Sequence, residues 1–269
     1  MSSRKIQADL VDGYIISTPN FTHIDVLKDV VKTKKHILVE KPLCVSKQEL
    51  SSLVSAAEKY RNLSVVVAEN YYYKPSLQLM KRLIREGLIG DLKQIDVRKC
   101  FSQKSQGWKS NYGALLEGGI HFLALISGLT DRSPEKVVVK FPSFLSGECE
   151  RRSHLELHYS QSLKVCLDYA WDLPDRMRGL FQHSTIHGTR GKIIFESNGL
   201  YVLTRNSENK FFLNFPGFLD LMGYRAQTQD FLTCICEPGR LPKSGILQAE
   251  RDLNIVFTAY EQLEELRDE

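Results

Sequence analysis

The sequence predicts an α/β unit with a parallel sheet, joined to an α+β unit whose sheet is mainly antiparallel and flanked by helices. Three observations lead there. Up to residue 73, short apolar runs alternate with helical patterns. From residue 74 onward, runs of alternating apolar and polar residues dominate. The 269 residues, 42% hydrophobic and 25% charged, are enough for a sizeable core and match globular composition. The two units are read as 1–73 and 74–269.

Tyr14-Ile15-Ile16-Ser17 reads as a buried strand. Thr22 is placed to cap a helix that turns Ile24, Leu27, Val30 and Val31 inward. His36-Ile37-Leu38-Val39 is a second buried strand. Ser46-Lys47-Gln48-Glu49 is a capping box, followed at helical spacing by Leu50, Leu53, Val54 and Ala57. Ser64 to Ala68 is a third buried strand. The order β-α-β-α-β implies a parallel sheet. A helix through Leu77, Met80, Leu83 and Ile84 should stop at Gly87 or Gly90. Eight strands are then expected, near 95–101, 137–141, 155–159, 165–171, 180–187, 192–196, 200–205 and 211–215. A helix around Leu116 to Ile126 interrupts them, and helices near 224–236 and 249–266 close the chain.

Composition narrows the function classes. The net charge is +4, and the densest basic cluster, Lys32, Lys34 and Lys35, sits where a helix should end. A nucleic-acid surface needs more basic residues on one face. The six cysteines form no C-x-x-C pair, which argues for reduced thiols and against a metal site. No window approaches the roughly 20 apolar residues of a membrane span. No apolar stretch follows Met1-Ser2-Ser3-Arg4-Lys5 as in a secretory signal. The expected address is the cytoplasm.

Each parallel strand runs into a polar, turn-prone stretch: Ser17-Thr18-Pro19-Asn20 with His23, then Glu40-Lys41-Pro42, then Glu69-Asn70-Tyr71-Tyr72. In open α/β sheets ligands bind at the carboxyl ends of the strands. Of the three tyrosines 71 to 73, some belong to the core and some to a pocket wall, with Tyr72 leaning toward the pocket. His154, His158, His183 and His187 read as ordinary strand residues.

Several of these stretches resemble one family. H-I-L-V-E-K-P-L at 36–43 is similar to the E-K-P signature of the glucose–fructose oxidoreductase/inositol dehydrogenase/MocA (Gfo/Idh/MocA) family. D-G-Y-I-I-S-T-P-N-F-T-H at 12–23 resembles its strand ending in T-P-x-x-x-H. Gly107-Trp108-Lys109 resembles its tryptophan–basic loop, and Glu117-Gly118-Gly119-Ile120-His121 its D-x-x-x-H helix. Gln229-Asp230-Phe231-Leu232 and the closing helix resemble its C-terminal end. An acid-x-x-x-His helix about 80 residues after E-K-P makes the combination specific.

The resemblance implies a Rossmann-like first domain that binds NAD or NADP, and a second domain that carries the substrate. It implies hydride transfer at a secondary alcohol of a sugar, cyclitol or related polyol. Removing the hydroxyl proton needs a base within hydrogen-bond reach. His121 is that candidate. Glu117, one helical turn earlier, would orient the ring or bind substrate hydroxyls. Lys41 would hold the substrate oxygen. Cofactor contacts are expected from Thr18, Pro19, Asn20, His23, Glu40, Lys41, Asn70 and Trp108, although Trp108 reads nearly as well as a core residue. Substrate contacts are expected from Tyr72 and Lys109. The family usually has Asp where this chain has Glu117.

One departure stands out. The family opens with a G-x-G-x-x-G turn that lets backbone N–H groups approach the pyrophosphate. Among the 17 glycines here no two are separated by one residue. The phosphate cradle is expected to be absent, so the Rossmann-like sheet reads as truncated and the chain as a fragment, a short isoform or a protein of altered cofactor use. An alternative follows from this: a catalytically silent short form acting as a binding or regulatory partner. The other expected partners are a small polyol-type substrate and a second copy, packed through the antiparallel sheet.

Overall fold

The computed structural model describes residues 10–268 except 60–62, 105, 143, 145–147, 176, 178, 207–209 and 238. Three short strands form the first sheet: β1 (Gly13–Ile16), β2 (His36–Val39) and β3 (Val65–Val67). All pairs are parallel, in the order β1-β2-β3. Ile16 lies beside Val39 and Val39 beside Val67, so the three carboxyl ends are level. β2 and β3 are largely buried, as their continuous apolar runs predict; β1, read as buried, is an edge strand that leaves Ile15 exposed and buries Ile16. Ile37, Leu38 and Val39 are all buried, each contributing about 1.5–3 kcal/mol relative to exposure.

Two helices pack on one face, α1 (His23–Val30) and α2 (Lys47–Lys59), through Ile24, Leu27, Val30, Leu50 and Leu53. The other face is covered from far along the chain. Phe231 and Ile235 of α5 (Tyr224–Cys236) pack on Leu38, Val66 and Ala68. The start of α1 differs from expectation. Thr22 makes no side-chain cap; a 3-10 turn, Asn20–Thr22, leads into the helix, and the Thr22 hydroxyl donates to the Pro19 carbonyl. The capping box of α2 is formed: the Glu49 N–H donates to Ser46 Oγ, and Glu49 reaches back to the Val45 N–H.

The eight expected strands are all present: β4 (Leu92–Cys100), β5 (Lys136–Lys140), β6 (Arg152–His158), β7 (Lys164–Ala170), β8 (His183–Gly188), β9 (Gly191–Glu196), β10 (Val202–Asn206) and β11 (Phe211–Asn214). They make one sheet in the order β11-β10-β9-β8-β4-β7-β6-β5. Every pairing is antiparallel except β4 with β7, which run side by side in parallel. That pair brings two strand carboxyl ends to one edge, with Cys100 beside Ala170.

One face of this sheet is apolar, with Ile95, Val97, Leu155, Leu167 and Ile186 all buried. The helices α3 (Pro75–Arg85), α4 (Ile120–Thr130) and α6 (Ile246–Asp268) fill the core beside it. Pro75 opens α3 at a position where a missing N–H costs nothing. Gly87, at φ 73°, follows its last turn, as the glycine spacing predicts. The expected helix near Leu116 is two elements. Leu115–Gly119 is a π-helical turn, and α4 follows it directly.

Candidate active site

A cavity of about 240 Å3 opens where the two sheets meet. Lys41 enters it from the end of β2. Glu117, Gly118, His121 and Phe122 enter from the π turn and α4. Lys99, Phe101 and Gln103 come from β4 and beyond, and Tyr169 and Trp171 from the end of β7. The parallel β4–β7 pair is what sets these last two groups side by side. A larger groove of about 430 Å3 between α1 and α2 is lined mainly by aliphatic side chains. Its ionisable groups are Lys28 and Lys32, so acid–base chemistry is concentrated in the smaller cavity.

The His121 ring is held on two sides. Its Nδ1 lies 2.7 and 2.9 Å from the two carboxylate oxygens of Glu69. Its face stacks on Tyr71, with centroids 4.9 Å apart and planes 17° apart. Glu69 is only 3% exposed. Burial pushes its carboxyl up, but the His121 ring, the Lys41 ammonium and the Tyr71 N–H together hold it below the usual carboxylate range. An ionised carboxylate only accepts. Nδ1 therefore carries a proton, and in the neutral ring Nε2 presents a lone pair. Nε2 makes no hydrogen bond among the described residues.

The acid expected to orient His121 was Glu117; Glu69 takes that place. The π turn explains the difference. Residues four apart share a face only in an α-helix, and the wider π turn swings Glu117 away from His121. Its carboxylate instead accepts from Asn20 Nδ2 at 2.7 Å, while its backbone oxygen accepts from Lys41 Nζ at 2.6 Å. π turns recur at functional sites because they re-aim side chains in this way. The only sequence signal for Glu69 was its position at the carboxyl end of β3.

The remaining expected residues divide. Asn20 is buried, and its Oδ1 has no partner among the described residues. Thr18 and Glu40 lie exposed, and Pro19 partly exposed, at the carboxyl edge of β1 and β2. His23 is buried, with Nδ1 3.0 Å from the Pro42 oxygen and Nε2 2.9 Å from the Thr18 oxygen. It ties two turns together and does not line the cavity. Asn70 is likewise committed, donating to the Met222 carbonyl. The Tyr72 hydroxyl donates to the buried Asp252 carboxyl at 2.9 and 3.0 Å, which makes Tyr72 a core residue rather than a pocket residue. The side chains of Trp108 and Lys109 lie outside the described residues.

The frame behind the site is built from a third acid. Glu150 accepts from the Leu115 N–H at 2.7 Å and from the Tyr260 hydroxyl at 2.9 Å. Its own carbonyl accepts from the Ala114 N–H, and Tyr260 Oη accepts from the Leu116 N–H. The orphan donors at the start of the π turn are thereby satisfied. Burial pushes the Glu150 carboxyl up to about 7. Among the described residues, no group of three His, Cys, Asp or Glu side chains is placed to hold a metal, and no helix is long and apolar enough to cross a membrane.

Comparison with known proteins agrees with this architecture. Residues 3–69 match a family model described as the oxidoreductase family, NAD-binding Rossmann fold, and residues 77–194 match the GFO/IDH/MocA C-terminal domain. The chain is 30% identical over 136 residues to the rhizopine catabolism protein MocA of Rhizobium meliloti, a stretch covering 48% of this chain and 41% of that protein. It is 27% identical over 128 residues to glucose-6-phosphate 3-dehydrogenase of Bacillus subtilis, covering 44% of this chain and 36% of that one. The matches thus span well under half the length of these curated relatives. The aldose-aldose oxidoreductase of Caulobacter crescentus, solved with glycerol, superposes with a TM-score of 0.83 at 18% identity, over 95% of this chain and 78% of its own. The two family models together match more than half of the chain, in order: it belongs to the GFO/IDH/MocA oxidoreductase family.

Proposed function

We propose that the cavity binds a secondary alcohol of a sugar, cyclitol or related polyol beside a nicotinamide, and that His121 is the base for its oxidation. The observation that carries this reading is the Glu69–His121 pair. A carboxylate fixes the tautomer and leaves Nε2 unpaired on the wall of a polyol-sized cavity. The names of two relatives, a dehydrogenase of a sugar phosphate and an aldose oxidoreductase, support the substrate class.

The residues present fit the nicotinamide end of NAD or NADP. The level carboxyl ends of β1, β2 and β3 offer an exposed polar rim at Thr18, Pro19 and Glu40. Asn20 Oδ1 is a buried acceptor in need of a donor. No Gly-x-Gly turn accompanies these strands. The fit therefore concerns the nicotinamide half alone.

When bound, the nicotinamide supplies hydride acceptance or donation. This chain's own residues do the rest. Lys41, anchored by the Glu117 carbonyl, donates to the substrate oxygen and stabilises negative charge on it. His121 Nε2 takes the hydroxyl proton, and Glu69 stabilises the charged ring that results. Glu117, aligned by Asn20, accepts from a neighbouring hydroxyl. Phe122, Tyr169 and Trp171 exclude water. A second copy packed on the polar face of the large sheet belongs to the same proposal.

The test is turnover. The chain is incubated with NAD or NADP and a panel of polyols, and reduced nicotinamide is followed by absorbance. Activity abolished by His121→Asn and by Lys41→Ala supports the assignment. Activity unchanged in His121→Asn contradicts it, and no activity with any cofactor or polyol favours the silent-partner reading.

A further inference from the structure

Lys74 is 1% exposed, and no bulkier side chain is so enclosed among the described residues. It directly precedes Pro75 at the start of α3. Two backbones close in on it. A Cβ on Gly223 would meet the Lys74 backbone nitrogen at 2.9 Å, and one on Gly199 would meet Lys74 Cε at 3.2 Å. The ammonium ends over the face of Tyr71, 4.2 Å from the ring centroid, and 3.9 Å from Met222 Sδ. The carboxylates of Glu196, on β9, and Glu69 favour its charge, and Lys99 opposes it. The cation is therefore matched. What calls for explanation is its place.

That place is one ring away from His121. Tyr71 carries the ammonium and the imidazole together, since the His121 ring stacks on it with centroids 4.9 Å apart. Phe122 holds the tyrosine by an edge contact at 5.2 Å. An aromatic face attracts positive charge through its quadrupole. A ring already engaged by an ammonium has less to offer a charged imidazole, and the two like charges repel directly. Among the described residues, the other groups around His121 are Glu69 at Nδ1 and, lining the same cavity, Lys41, Glu117, Lys99 and Tyr169. Asp252 of α6 is within electrostatic reach of Glu69, and Tyr224 of α5 within reach of Tyr71. Glu69 by itself favours a charged ring. A ring that is charged at rest cannot accept a proton.

We infer that Lys74 is a positioning residue for His121: through the shared Tyr71 ring it opposes charge on the imidazole and keeps Nε2 free to accept a proton. Glu69 stabilises the charge once the proton has moved, and Lys74 holds it off beforehand. The inference rests on the reading of His121 as the base. It adds a residue that touches neither substrate nor cofactor.

The test is the titration of His121 in the full chain, followed by NMR of isotope-labelled histidine rings. Comparison with His121→Asn identifies the signal. Lys74→Met keeps the stem and removes the charge. In that variant the midpoint of the His121 titration is expected to rise by about one pH unit, the size of a like-charge interaction at roughly 9 Å or less within a protein. A folded Lys74→Met chain with an unmoved midpoint overturns the inference. The wild type gives a second reading that needs no Lys74 variant to fold. Burial pulls the Lys74 ammonium down to about 8, so the His121 signal is expected to show a second, smaller inflection near that pH. A signal that stays flat there overturns the inference. The Asp252 carboxyl is also raised to about 8. An inflection that persists in Asp252→Asn supports Lys74, and one that vanishes there overturns it. Neither reading needs turnover. A raised midpoint in a chain that oxidises no polyol upholds the coupling of Lys74 to His121 and counts against the polyol reading alone.

Discussion

Glu69 grips His121 at Nδ1 from 52 residues away in sequence, with one carboxylate oxygen at 2.7 Å and the other at 2.9 Å. The two residues come from elements far apart in the chain, the end of β3 and the start of α4. The packing of those elements is therefore part of the site. The ring cannot rotate without losing both oxygens and the stack on Tyr71. Replacing Glu69 by Gln keeps the shape and removes the charge. NADH-linked turnover of a polyol substrate is expected to fall about 100-fold with KM little changed, because the charged ring forms only as the proton moves.

The same pair sets a pH dependence of stability. The Glu69 carboxyl lies below its ordinary value of 4.5 in the fold. A depressed carboxyl contributes stability that is present above 4.5 and lost as pH falls through the lower, folded-state value. Equilibrium unfolding of the wild type and Glu69→Gln should therefore differ above that window and converge below it.

Glu150 works in the opposite sense. Its carboxyl moves from 4.5 up to about 7 on burial. The fold prefers the protonated acid, so its cost is absent below 4.5, grows as pH rises and is complete above about 7. Glu150→Gln retains an acceptor for the Leu115 N–H without a charge. It is expected to leave stability unchanged at pH 4 or below and to raise it at pH 8 by up to about 3 kcal/mol, measured by denaturant unfolding.

The first sheet and the eight later strands were legible because their signals are local. Continuous apolar runs mark strands buried on both faces, and alternation marks strands with one wet face. The parallel β4–β7 pair was not legible, because strand order in a sheet depends on long-range packing. The π turn was not legible either. Glu117 and His121 fit an α-helical i, i+4 pair, and only the pressure of Tyr169 and Trp171 on Gly118 reveals the wider turn. Lys41 and His121 stood out through E-K-P and the acid-x-x-x-His spacing. Glu69 and Lys99 did not, since each reads as an ordinary residue at a strand end until the tertiary fold brings it to the cavity. Tyr72 misled for the converse reason: its strand-end position is shared with Glu69, but its hydroxyl turns to Asp252.

Gly118 tests the π turn directly. A Cβ there would meet Tyr169 Oη at 2.0 Å and Trp171 Cζ2 at 3.1 Å. Tyr169 is fixed in turn by the Trp171 indole N–H at 2.7 Å. Gly118→Ala is expected to cost about 1–3 kcal/mol, the usual range for overpacking. A thermal melt reads this, and a substitution without effect would show that the turn has room to spare.

Tyr72→Phe separates core from pocket. Asp252 is fully enclosed, its carboxyl raised to about 8 by burial, and Tyr72 is one of its donors. Removing the hydroxyl is expected to lower stability by about 1–3 kcal/mol. The KM for a polyol substrate should stay the same, and a raised KM at unchanged stability would return Tyr72 to the pocket.

The central claim is that this chain presents a nicotinamide and polyol site at the carboxyl ends of β1 to β3. Trp171 lines that cavity, so a titration with NADH and NADPH, followed by energy transfer from tryptophan to the reduced nicotinamide, reads it most directly. The account predicts saturable transfer with at least one of the two, weakened by Lys41→Ala. A folded chain that shows no saturation with either would contradict it.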